Sequence, residues 1–157
     1  MQESVASDFG SGFPHPKHNN TDMQRQTKPD GGDDRMRVIY GLGRAVLGGF
    51  FLYNGINHLT HTEALSGYAA AKQVPNPELS VQASGALLAA AGASLILGVK
   101  PTLGALGVLG FLAITSPQMH DFWNVQDQQQ KQAEMIHFSK NVALMGAALA
   151  LIGAEAS

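Results

Sequence analysis

The chain has 157 residues, 45% of them hydrophobic and 14% charged, with a formal net charge of -2 and a pI near 6.3. It lacks the basic excess that a nucleic-acid surface requires, so no nucleic-acid partner is expected. The sequence contains no cysteine, which excludes disulfides, thiolate catalysis and thiolate metal sites.

These averages merge two unlike segments. Residues 1–35 carry six acids (Glu3, Asp8, Asp22, Asp30, Asp33 and Asp34) among Lys, Asn, Gln, Pro and Gly, with almost no aliphatic side chains. Such a segment buries too little apolar surface to offset its ordering entropy, so a disordered N-terminal extension is expected. It has no apolar core or cleavage site of a signal peptide, and the first apolar stretch behind it reads as an uncleaved anchor. Met36-Arg37-Val38 has the look of a natural start. His15 and His18 stand at a metal-compatible spacing, but a disordered segment would not hold them in place.

From Met36 onward four long apolar segments follow: Val38–Leu59, Val81–Gly98, Pro101–Ser116 and Phe138–Ala154. Their lengths suit bilayer-spanning helices, which need roughly 17–25 residues at about 1.5 Å rise. The fold class expected for residues 36–157 is therefore an all-α, membrane-spanning four-helix bundle. Between the first two spans, Thr60-His61-Thr62-Glu63 has capping-box spacing, and Glu63–Val74 reads as a short amphipathic helix with Leu65, Tyr68 and Ala69 on one side. Pro75 stops it. Asn76-Pro77-Glu78 supplies an N-cap, a first-turn proline and a first-turn acid for the second span. Gly98 closes that span and Pro101 opens the next, a link so short that the two must form an antiparallel hairpin. Asp127 caps a long helix that runs through Gln128–Ile136 into the fourth span.

Small residues recur through the spans: Gly85, Ala89 and Ala93 in the second; Gly104, Gly107 and Gly110 in the third; Gly146, Ala150 and Ala154 in the fourth. Lipid gives helices no hydrophobic reason to associate, so close backbone approach must supply the attraction, and these stripes read as packing surfaces. Arg25, Lys28, Arg35, Arg37 and Lys100 fall on one side of the membrane, against Lys72, Lys131 and Lys140 on the other. That bias predicts both termini on the cytoplasmic side of the cell membrane. Arg44, about two turns into the first span, either snorkels to the inner surface or meets a buried partner.

This topology gathers the end of the first span, the end of the third and the start of the fourth at one face. His58 and His61, His120 and Asp121, and Glu134 and His137 are expected there, with Asn54 and Asn57 just below. His137 shares a helical face with Asn141, four residues on. Imidazole and carboxylate suit zinc, copper, iron or nickel, and imidazole also hydrogen-bonds quinone carbonyls. No HExxH, paired Glu-x-x-His or CxxCH motif occurs, so no metal site is assigned. The competing reading is that these polar groups anchor helix ends and hydrogen-bond one another. Lys140-Asn141 suits an anion, or Lys140 pairs with Asp121. Trp123 beside Phe122 reads as an interfacial aromatic anchor.

Arg44 followed by Asn54-Gly55-Ile56-Asn57-His58, the Val74-Pro75 turn, Met119-His120-Asp121-Phe122-Trp123 and Phe138-Ser139-Lys140-Asn141 together resemble the DoxX family, over roughly residues 38–154. The resemblance implies a small four-helix membrane protein of bacterial or archaeal type. Some members are linked to quinone-dependent sulfur oxidation or to membrane oxidoreductase complexes that handle oxidative stress. It thus implies an accessory subunit of a quinone-linked redox complex, with redox subunits as partners and quinone contacted through His58, His120 and His137. The alternative is a non-catalytic scaffold or small-solute carrier. Many members carry a glutamate in the second span where Leu88 stands here, so no proton or quinone chemistry is carried over to that position.

Overall fold

The computed structural model describes residues 30–156, with side chains from Gly32 onward. Five helices follow in order: α1 (Asp30–Thr60), α2 (Thr62–Ala71), α3 (Pro77–Leu97), α4 (Pro101–Met119) and α5 (Gln128–Glu155). A single 3-10 turn, Phe122–Asn124, lies between α4 and α5. No strand occurs among the described residues. The expected disorder and the His15 and His18 reading fall on residues 1–29, outside the described residues. α1 starts at Asp30, so the last residues of the expected N-terminal extension are already helical. Asp33 and Asp34 near its start oppose the positive end of the helix dipole, and no proline interrupts the run into the apolar segment.

Local chemistry accounts for the other ends. Asp127 Oδ1 accepts the backbone N–H of Gln130 at 2.8 Å, the side-chain cap expected for α5. Pro77 and Pro101 occupy the first turns of α3 and α4, where a missing N–H costs nothing. Asn76 and Lys100 are the cap residues, yet both sit in the left-handed region and neither side chain caps its helix. The expected capping box at Thr60 is replaced by other bonds. Thr60 Oγ1 donates to Ile56 O at 2.9 Å, within the last turn of α1. α2 starts at Thr62 behind an uncapped His61, and it ends at Ala71, before Pro75 is reached.

Three helical stretches are long and apolar enough to cross a membrane: Pro77–Leu97, Pro101–Asn124 and Gln128–Glu155. α1 is not among them by length and composition, so three of the four expected spans are supported on that ground. Its apolar part is diluted by Arg44, Asn54 and the glycines at 41, 43, 48, 49 and 55. It nevertheless lies antiparallel along α3, with Arg44 beside Gly98 and His58 beside Ser84. α1 therefore shares the depth of a spanning helix.

Glycine sets this α1–α3 contact. A Cβ on Gly55 would stand 2.4 Å from Ala89 N, and one on Gly92 would stand 2.4 Å from Leu52 N. Two backbones thus touch directly, with Gly48 and Gly85 extending the contact on either side. Gly104 packs as closely on the other side of α3, against Ser94 and Ala91. Around these crossings lies one core of Leu47 and Phe51 from α1, Leu88, Ala91 and Leu95 from α3, Ala105, Val108 and Leu112 from α4, and Ala148 from α5. The stripes at Gly110 and Gly146 do not pack as expected, since a Cβ at either would meet nothing within 4 Å. Ala148, with Leu144, Met145 and Ile152 around it, is the inward face of α5, and this turns Gly146, Ala150 and Ala154 outward.

Candidate functional site

Helix lengths and links bring the end of α1, all of α2, the end of α4, the 3-10 turn and the start of α5 to one end of the bundle. Three polar groupings form there. In the first, Ser84 donates its hydroxyl to Val81 O at 2.9 Å. Its oxygen is then free to accept Nδ1–H of His58 at 2.8 Å. The His58 ring lies edge-on to Phe111, centroids 6.1 Å apart.

The second grouping is His120 with the start of α5. His120 Nδ1 and Glu134 Oε2 are 2.7 Å apart, and the His120 ring stacks on His137 at 5.2 Å with 17° between planes. Lys140 Nζ approaches His137 Nδ1 at 3.4 Å, and His137 and Lys140 are both exposed. Among the described residues Nε2 of His120 has no protein partner. Asn141 sits one turn on and makes no side-chain hydrogen bond among the described residues.

The third is Lys72 with Asp121, at 2.6 Å, buttressed by Asn124 Nδ2 donating to Asp121 Oδ2 at 3.2 Å. Of the alternatives open to Lys140, pairing with Asp121 is ruled out: the end of α2 delivers Lys72 to the loop after α4, while Lys140 stays beside His137 on its own helix. The hydrogen bond to Asp121 pushes the Lys72 ammonium above the ordinary lysine range. Tyr68, one turn earlier, donates to Met119 O at 3.4 Å. Burial, helped by the nearby Glu134 carboxylate, raises its phenol above the usual value.

The histidines are therefore divided. His120 and His137 touch; His58 does not touch them. His58 faces Phe111, which precedes Met119 by eight residues, a rise of about 12 Å along α4. His61 is exposed and bonded to Thr60 Oγ1 at 2.9 Å, apart from both groups. Asn54 spends its amide on Phe50 O at 2.7 Å, one turn back. Asn57 accepts the His61 N–H through its carbonyl. Among the described residues no three His, Asp or Glu side chains converge as metal ligands. The participants missing from the sequence-based site are Ser84, Tyr68 and Lys72; only the short amphipathic helix hinted at the last two. Phe122, Trp123 and Phe138 pack edge to face, centroids 5.1–6.0 Å apart, and Trp123 is half exposed, as an interfacial anchor would be.

Arg44 lies at the opposite end. Its guanidinium covers Gly98, where a Cβ would come within 2.6 Å of it, and Gly98 also needs φ +69° to end α3. Arg44 reaches Glu155 at 3.9 Å and lies 5.7 Å from the Tyr40 ring centroid, while Tyr40 donates to Glu155 at 2.6 Å. Arg44 has thus found a partner across the bundle, and it ties α5 to α1.

Comparison with curated proteins and with solved structures gives no match to the chain. The sequence profile of the DoxX family matches residues 40–121, more than half of the chain, from α1 through the end of α4. His120 and Asp121 close that stretch, and His137, Lys140 and Asn141 lie beyond it. Helices of membrane-spanning length and this match lead to one conclusion: the chain is a membrane protein that belongs to the DoxX family.

Proposed function

We propose that residues 36–157 act as an accessory subunit of a quinone-linked redox complex in the cytoplasmic membrane, with both termini in the cytoplasm and residues 1–35 as an extension. The observation that carries this reading is the His120–Glu134 pair with His137 stacked on it. Glu134 orients His120 through Nδ1, and Nε2 is left to bind. Neutral, Nε2 accepts a hydroquinone hydroxyl; protonated, it donates to a quinone carbonyl. This chain's part is binding and proton placement, and the electrons pass through partner subunits. His58 is too far along α4 to share this contact, which leaves His120 and His137 as the ligand-facing pair.

Binding of decylubiquinone to the protein in lipid nanodiscs tests the reading. His120→Ala should weaken it about tenfold, the equivalent of one hydrogen bond of roughly 1.4 kcal/mol, with the thermal midpoint held within a few degrees. Glu134→Gln should weaken it less. A His120→Ala variant that loses stability and keeps its affinity would overturn the proposal. The scaffold reading would then stand in its place, supported by the Lys72–Asp121 pair, in which each charge already has a partner within the chain.

A further inference from the structure

Arg44 is a partly buried charge whose donors are unmet. Its side chain is 22% exposed, and Glu155 is its one ion-pair partner among the described residues, at 3.9 Å. That separation is outside hydrogen-bond reach, and the same Glu155 oxygen already accepts the Tyr40 hydroxyl at 2.6 Å. None of the guanidinium N–H groups makes a hydrogen bond to a described residue. Nε is closed off from its surroundings, whereas the terminal nitrogens Nη1 and Nη2 stay accessible. A guanidinium cannot shed its proton to escape this, and a charge held within a membrane bundle calls for a partner.

The surroundings indicate the partner. The guanidinium lies over Gly98, which ends α3, and beside Glu155, which ends α5. Membrane-crossing helices end where lipid headgroups lie. Leu97 and Val99, on either side of Gly98, are 73% and 62% exposed. Lys100 follows them, exposed and with no ion pair among the described residues. Ser94 Oγ bonds to Val99 O at 2.7 Å and Lys100 O at 3.2 Å, which folds this link against α3. Lys100 keeps φ 49° there, a conformation that a non-glycine residue holds only where its surroundings fix it. Two cations thus flank two exposed apolar side chains at headgroup level, a surface suited to an amphiphilic anion.

We infer that Arg44 and Lys100 form a binding site for the phosphate of an anionic glycerophospholipid. Nη1 and Nη2 donate to phosphate oxygens, whose spacing a guanidinium fork matches. Lys100 adds a second positive charge, and an acyl chain lies along Leu97 and Val99. Glu155 acts as the competitor, since its carboxylate approaches the same nitrogens and repels the phosphate. The site lies at the opposite end of the bundle from His120 and does not depend on the quinone-linked reading.

Competition between two lipids tests this. Full-length protein in dodecylmaltoside is mixed with equal amounts of phosphatidylglycerol and phosphatidylcholine carrying the same acyl chains, and the lipids retained are counted by native mass spectrometry. Phosphatidylglycerol should be retained in preference. Arg44→Gln should lower its retention about tenfold, the effect of losing a charge-assisted hydrogen-bonded pair. Lys100→Gln should lower it about fivefold, as expected for one cation near a headgroup. Arg37→Gln, two turns earlier on the same face of α1, should leave it nearly unchanged. Because Arg44→Gln also cuts the tie to α5, Lys100→Gln and Glu155→Gln carry the test if that variant fails to fold. Glu155→Gln should raise retention, although it removes the same tie; a purely structural role for Arg44 predicts no such gain. Equal losses for Arg37→Gln and Arg44→Gln would overturn a defined site and leave only diffuse attraction to surface charge. Retention unmoved by changes at Lys100 and Glu155 would overturn it as well. Inorganic phosphate that displaces phosphatidylglycerol and by itself raises the thermal midpoint would overturn a lipid as the ligand, with a free oxyanion in its place.

Discussion

Adding one methyl group at Gly55 should separate α1 from α3. The Cβ of an alanine there would lie 2.4 Å from Ala89 N, 2.7 Å from Gly85 O and 2.8 Å from Ala89 Cα. All three are backbone atoms of a helix, so no side chain can swing aside. Ordinary contact begins near 3.4 Å, so the helices must part by about 1 Å, and dispersion falls off steeply over such a gap. Overpacking of this kind costs about 1–3 kcal/mol, and the rigid neighbours place Gly55→Ala near the upper end. Against this, alanine gains about 1 kcal/mol over glycine in helix propensity. The net expectation is a loss of about 1–2 kcal/mol. Gly49→Ala is the control, because a Cβ there meets nothing within 4 Å. It keeps the propensity gain and should stabilise by up to about 1 kcal/mol. Equilibrium unfolding in mixed detergent micelles, titrated with a denaturing detergent, measures both. If the two variants shift stability in the same direction by similar amounts, the direct backbone contact between α1 and α3 is refuted.

Three further outcomes follow from other parts of the chain. Lys72→Ala should cost about 0.5–1 kcal/mol, since the pair with Asp121 is partly exposed. Because folding raises the Lys72 pKa, that contribution is complete below the unfolded value near 10.5 and is lost as pH rises through the folded one. The difference between wild type and variant in thermal midpoint should therefore be constant from pH 8 to 10 and shrink above that window; a difference that grows there would contradict the pairing. Asp127→Ala removes the side-chain cap of α5 and should cost about 1 kcal/mol in thermal unfolding, whereas Asp127→Asn should recover most of it. For orientation, single cysteines at Ser66 and Gln129 should react with an impermeant thiol reagent in intact cells and one at Thr27 should not; the reverse pattern would invert the topology.

Membrane residence and helix limits were legible in the chain because their causes are local. Apolar length, the prolines at 77 and 101, Gly98 before a short link and Asp127 before a glutamine run each act within a few residues of themselves. The same locality let topology bring Glu134, His137 and His120 to one end from widely separated positions. What local signals could not decide was which side of each helix faces another. A helix apolar all round has no polar face to orient it in lipid. Gly85 and Ala89 meet α1, while Gly146 and Ala150, in an equivalent pattern on α5, face outward; only the position of the neighbouring helix distinguishes them. Tertiary placement likewise gave Asp121 to Lys72, set His58 well apart from His120, and buried Ser116 without a partner among the described residues. Each of these depends on the depth and rotation of a second helix, and backbone approach at Gly48, Gly55, Gly85 and Gly92 determines both for α1 and α3.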